Sequence, residues 1–156
     1  MNWQQVCEHP DLRNLPFKIE LNEIGQILMS PVKVYHSAFQ GKIAALLYFN
    51  LDGGEVLAEC AIKTTMGTKV ADVAWASSAR FEKIRADVEC SIAPEICVEV
   101  ISASNTDREM NQKTVLYFAA GALEVWTCSE HGYMKFYDKD GELTASSLAK
   151  NFPRQL

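Results

Sequence analysis

The chain has 156 residues, 48% of them hydrophobic and 22% charged, which are the proportions of an ordinary globular protein forming one domain, residues 1–156, around a substantial core. Its 20 Asp and Glu outweigh 15 Lys and Arg to give a net charge of -5, so broad, sequence-blind attraction to a phosphate backbone is excluded and any nucleic-acid contact needs a local basic patch. The five cysteines contain no Cys-x-x-Cys pair, no basic and apolar leader opens the chain, and no segment approaches about 18 uninterrupted apolar residues; the expectation is a reduced, cytoplasmic protein without disulfides, zinc or membrane spans.

In chain order, residues 1–15 begin as a short helix that Pro10 ends. Phe17-Lys-Ile-Glu-Leu21 alternates with period two, Asn22-Glu-Ile-Gly25 supplies turn residues, and Gln26–Met29 resumes the apolar run, so the spacing predicts a β-hairpin that Pro31 stops. Tyr35, Phe39, Ile43 and Leu47 recur every four positions and predict an amphipathic helix starting near His36. Glu55–Lys63 reads as a strand, Thr64–Thr68 as a hairpin connection, and Val70–Trp75 as the returning strand. The charged stretch Ser77–Glu89 is expected to be exposed, helical or irregular. Ile96–Ile101 is the most apolar strand and belongs at the centre of the sheet. Ser102–Asp107 offers several N-cap oxygens for a helix over 107–120 that Gly121 ends, and Leu123–Cys128 and Tyr133–Tyr137 are two more strands before the turn Asp138–Gly141. The fold class that fits is α/β: a mixed sheet of about five core strands flanked by helices, with an N-terminal β-hairpin.

Two of these strands carry an acid that burial should penalise. Asp72 stands in Lys69-Val-Ala-Asp-Val-Ala-Trp75 and Glu99 in Glu95-Ile-Cys-Val-Glu-Val-Ile101. If the strands are neighbours, alternation lets both carboxylates enter one crevice, where mutual repulsion favours a hard cation such as Mg²⁺ between them. The alternative is that each acid caps a strand end or pairs with a nearby Lys. Lys113 invites two readings likewise: an ordinary surface pair with Glu109 one turn earlier, or an ammonium reaching over the crevice to hold a phosphate or an attacking water. His36, a single histidine on a helix, is by spacing alone more often structural.

The ordered set Leu15-Pro-Phe-Lys-Ile-Glu20, Met29-Ser-Pro31, His36, Thr65-Met-Gly67, Ala71-Asp-Val-Ala-Trp75, Ala93-Pro-Glu-Ile-Cys-Val-Glu-Val-Ile-Ser102, Ser104-Asn-Thr106, Lys113, Leu116-Tyr117, Ala120-Gly-Ala122, Glu124-Val-Trp126 and Phe152-Pro153 resembles the Uma-two family of restriction-endonuclease-like proteins, within the PD-(D/E)xK group. The resemblance implies a restriction-endonuclease-like fold and an endonuclease that hydrolyses DNA phosphodiesters with Mg²⁺ or Mn²⁺. It implies Asp72 and Glu99 as metal ligands and as catalytic residues, together with Lys113 and His36; Glu59 is a weaker candidate ligand. The motif's lysine two residues after the second acid is missing, since Ile101 stands there, and Lys113 could enter from the helix in its place. Ala71 and Ala103 replace two motif prolines, which bears on strand-end geometry and not on the ligands. A homodimer is expected because a duplex offers two strands to cut.

Two rival classes need no metal. One is a catalytically silent module that keeps the fold for binding or assembly, consistent with the net charge and with Arg80, Lys83 and Arg85 as the only compact basic group. The other is a partner protein exposing the aromatic strands of Trp75, Trp126 and Phe136, although aromatic residues at strand spacing more often build a core.

Overall fold

A computed structural model describes residues 1–103 and 105–156. Ser104, one of the candidate cap oxygens, lies outside the described residues. The elements run α1 (Trp3–Glu8), a 3-10 turn (Pro10–Leu12), β1 (Phe17–Leu21), β2 (Ile27–Pro31), α2 (Val34–Asn50), β3 (Glu55–Thr64), β4 (Gly67–Ala76), α3 (Ser78–Ile84), β5 (Ile96–Val100), α4 (Asp107–Ala119), β6 (Glu124–Cys128), β7 (Met134–Asp138) and β8 (Gly141–Leu143). β1 and β2 form a separate antiparallel hairpin; the other six strands make one mixed sheet in the order β3-β4-β5-β6-β7-β8. Among the described strands of this sheet, β5 and β6 are the parallel pair, joined by the α4 crossover, as a parallel connection requires.

Local chemistry explains the boundaries. Asn2 and Thr106 each cap a helix through a reciprocal capping box, Thr106 with Glu109 at the start of α4. After α4, Gly121 takes φ +108°, the left-handed geometry that glycine adopts at least cost. Gly67, at φ +83° in the β3–β4 turn, has a second reason to be glycine: a Cβ there would collide with the carbonyl oxygens of Leu21 and Asn22, so it lets the end of β1 close on β4.

The core forms two apolar clusters. Ile43 and Leu47 of α2 pack with Val73, Ile96, Val98, Trp126 and Phe136; Tyr117 packs with Ala74, Cys97, Ala122 and Val125. Trp126 and Phe136 are wholly buried, meeting edge to face with centroids 5.0 Å apart, so they offer no partner surface. Of the basic group at α3, Lys83 and Arg85 are exposed, whereas Arg80 is turned to the body of the protein. Ile84 of α3 is buried, and the Arg80 guanidinium donates to the carbonyl oxygens of Ala93 and Gly121. β5 lies at the centre of the sheet as its composition predicts, and β8, read only as the end of a turn, adds a sixth strand.

Candidate active site

β4 and β5 pair antiparallel at Val73↔Val98, Ala74↔Cys97 and Trp75↔Ile96, a register that sets Asp72 opposite Glu99 one step beyond the last regular pair. There the ladder opens. The Val100 N–H donates to Asp72 Oδ2 at 2.7 Å, a side chain taking the place of a strand carbonyl. On the other edge of β4, Glu59 adopts φ +51°, the regular pairing of β3 skips Asp72, and the Asp72 carbonyl accepts instead from Gln40 Nε2 at 2.8 Å. The kink costs backbone energy, yet it leaves Asp72 at a strand position held by side chains from two layers.

The hairpin closes over this opening. Alternation puts Lys18 and Glu20 on one face of β1, and Glu20 Oε1 accepts from the Val70 N–H at 2.9 Å while Lys69 Nζ donates to the Leu21 carbonyl at 3.0 Å, fastening β1 to β4. Lys18 Nζ then lies 2.7 Å from Asp72 Oδ1 and 3.2 Å from Glu99 Oε2. From the other side, Lys113 of α4 reaches Glu20 Oε1 at 2.7 Å and Glu99 Oε2 at 3.2 Å. The Tyr117 hydroxyl, one turn further along α4, donates to Glu99 Oε1 at 2.6 Å. His36 Nε2 stands 3.2 Å from Asp72 Oδ2, while its buried Nδ1 has no partner among the described residues. A cavity of about 570 Å³ adjoins the cluster, lined by Lys18, Glu20, His36, Asp72, Glu99 and Lys113 among others.

The electrostatics follow from burial and these contacts. Asp72 is fully buried, which alone would raise its pKa, but the His36 hydrogen bond and the Lys18 ammonium outweigh that and bring it to about 2. Glu99 moves the other way: burial raises its pKa, and the neighbouring Asp72 adds to the rise against the pull of Lys113 and Lys18. Two acids sharing an ammonium thus separate, one firmly ionised and the other reluctant. Burial works against the charge on Lys18, but Glu99, Asp72 and Glu20 together hold its pKa above the ordinary value. Glu20 is lowered, burial notwithstanding, by Lys113 and Lys18; His36 is raised, chiefly by its bond to Asp72.

Four residues singled out in the sequence therefore meet: Asp72, Glu99, Lys113 and His36. Lys113 does not make the surface pair with Glu109, whose carboxylate is engaged by the Thr106 N–H. Glu59 stays outside the cavity, with its carboxylate bonded to Gln40 at 2.6 Å. Lys18, Glu20 and Tyr117 join the site without having been singled out for it by sequence, although alternation along β1 and their place in the matched motifs were visible. Each acid also pairs with a lysine, the alternative that the strand positions left open.

Would these residues accept a divalent cation? Among the described residues no group of three or more His, Cys, Asp and Glu side chains is arranged as a ligand set. Two carboxylate oxygens nevertheless converge on one cation, the ammonium of Lys18, within 3.2 Å of both. Two hard oxygen donors with waters completing the shell are the way Mg²⁺ is commonly held, so the donor chemistry fits once the ammonium moves.

A mixed sheet flanked by helices, with its acids at the opening of a central strand pair, defines a restriction-endonuclease-like fold. Among the solved structures it resembles is a "putative nuclease belonging to DUF820" from Anabaena variabilis ATCC 29413, with a TM-score of 0.69 at 15% identity over 100% of this chain and 94% of that one. The Uma2 family model, described as "Putative restriction endonuclease", matches residues 3–149, and the chain belongs to that family. No curated protein matches it. No helix among the described residues is long and apolar enough to cross a membrane.

Proposed function

We propose that the protein is a metal-dependent phosphodiesterase acting on DNA, with Asp72 and Glu99 holding a Mg²⁺ or Mn²⁺ ion. The observation that carries this reading is the convergence of two buried carboxylates on one cation position beside a cavity, in a chain of an endonuclease family. When bound, the ion acidifies a water and offsets charge on the phosphoryl oxygens. The rest falls to the chain itself. Tyr117 fixes the rotamer of Glu99, and the Val100 N–H fixes that of Asp72. Lys113, anchored between Glu20 and Glu99 on α4, orients the attacking water or holds a non-bridging oxygen, the task left open by Ile101. His36, hydrogen-bonded to Asp72 at the cavity wall, steadies that carboxylate and assists proton transfer there.

One observation favours a second reading, a silent module that keeps the fold for binding. Lys18 and Lys113 already place two ammonium charges against Asp72 and Glu99, so the pair of acids has its counter-charge without an ion. Plasmid nicking separates the two. With Mg²⁺ or Mn²⁺ the wild type is expected to relax supercoiled DNA, and Asp72→Asn and Lys113→Ala to lose at least about a hundredfold of that rate, the size of effect that positioned charged groups have. Absence of cleavage on supercoiled, linear and single-stranded DNA with either ion would leave the silent module standing.

A further inference from the structure

The position that joins the two acids is occupied by part of the protein. Lys18 Nζ donates to Asp72 Oδ1 and Glu99 Oε2 with its side chain only 9% exposed, so it is a buried, directed contact. A divalent ion at about 2.0–2.1 Å from the same two oxygens would stand where the ammonium stands. Both cannot be there. Resting on the metal-dependent reading above, we propose that Lys18 is a positioning residue that competes with the divalent ion for Asp72 and Glu99: it holds the two acids together in the metal-free protein and turns into the adjoining cavity when the ion binds.

Three features of the site make this exchange workable. Lys18 is borne by the two-stranded hairpin and not by the six-stranded sheet, and it already lines the cavity into which it must turn. A new partner lies close by, because Glu20, two residues on and on the same face of β1, already faces the charge of Lys18. Most of what fixes the acids lies elsewhere: the Val100 N–H and His36 on Asp72, the Tyr117 hydroxyl and Lys113 on Glu99. The carboxylates therefore keep their aim when the ammonium leaves. The displaced cation then faces the cavity, where a phosphate would enter, so the ion recruits Lys18 toward the substrate by taking its place.

Titration calorimetry with Mn²⁺ on the wild type, Lys18→Met and Lys18→Arg tests this without an activity assay. Lys18→Met, a neutral near-isostere, is expected to bind Mn²⁺ at least about tenfold more tightly than wild type, about 1.4 kcal/mol. Lys18→Arg, whose guanidinium can bind both acids at once, is expected to bind no more tightly than wild type. If Lys18→Met fails to fold, the wild type still decides the matter: the side-chain ammonium resonance of Lys18, assigned by its loss in Lys18→Arg, should shift or vanish as Mg²⁺ saturates. Equal or weaker Mn²⁺ binding by Lys18→Met, tighter binding by Lys18→Arg, or a Lys18 resonance indifferent to saturating Mg²⁺ would overturn the competition and leave the metal reading in place. If neither the wild type nor Lys18→Met takes up Mn²⁺, the metal reading and the competition fall together.

Discussion

Asp72→Asn is the most informative single change for stability, because it removes one charge from a fully buried site while keeping the shape of the side chain. Removing one partner of a buried ion pair commonly costs about 3–5 kcal/mol through the charge left behind. Here the cost should be smaller, since Lys18 retains Glu99 at 3.2 Å and Glu99 loses its like-charged neighbour. Linkage gives the size. A fall of the Asp72 pKa from 3.8 to about 2 corresponds to about 2–3 kcal/mol at neutral pH. The folded-state pKa is the depressed one, so this stability is complete well above pH 3.8 and is lost as pH falls through 3.8 toward about 2. About half should remain at pH 3. With a urea slope of about 2 kcal/mol/M, the unfolding midpoint of the variant at pH 7 should fall by about 1 M, and the gap should narrow to about half that by pH 3. Circular dichroism at the two pH values measures both. A variant as stable as wild type at pH 7, or a gap that stays constant down to pH 3, would refute the claim that the Asp72 charge is held by its neighbours.

Tyr117→Phe deletes only the hydroxyl that donates to Glu99 at 2.6 Å, a bond to a buried ionisable group, and should lower stability by about 1.5–3 kcal/mol in the same urea assay. Because it also frees the Glu99 rotamer, it should weaken Mn²⁺ binding, whereas a purely structural tyrosine would change stability alone. For His36 the sign is the reverse of Asp72: its folded pKa is raised, so its contribution to stability is complete below about 6.5 and is lost as pH rises through the folded value. An NMR titration of the ring should give a midpoint above 6.5 in the wild type and at or below 6.5 in Asp72→Asn, where burial is left to act without the carboxylate.

How much of this was legible in the sequence depends on how local each cause is. The strands of Asp72 and Glu99 could be read from composition, and alternation placed each acid on one face; once β4 and β5 are neighbours, their convergence follows from register. Lys18 and Glu20 were equally visible as alternate residues of β1, but no local pattern says that this hairpin folds back over β4. That is decided by Gly67, which permits the close approach, and by the bonds of Glu20 and Lys69 across the gap. Tyr117 could be assigned to the buried face of α4, yet the direction of its hydroxyl depends on the crossover between β5 and β6. The three residues of β8 are too few to show a period at all.

A buried acid in a strand is not in itself the mark of a site, and this chain supplies its own control. Glu124 in β6 is only 2% exposed, as deeply buried as Glu99 at 4%. Its two oxygens accept from Trp126 Nε1, the Ser146 hydroxyl and the backbone N–H groups of Ser147 and Leu148, all within 3.0 Å. Those four donors are uncharged, belong to its own strand and the chain's C-terminal segment, and pin that segment against the sheet. Asp72 and Glu99 differ on each count: they share a cation, they draw donors from β1, α2 and α4, and they border a cavity. Glu124→Gln should accordingly leave Mn²⁺ affinity unchanged while loosening the C-terminal segment, because the amide nitrogen would face two of the donors that a carboxylate oxygen accepts from, whereas the acids that an incoming divalent ion requires are untouched. What sets the site apart is the charge of the donors and the open space beside them, and neither can be seen until the hairpin is folded over the sheet.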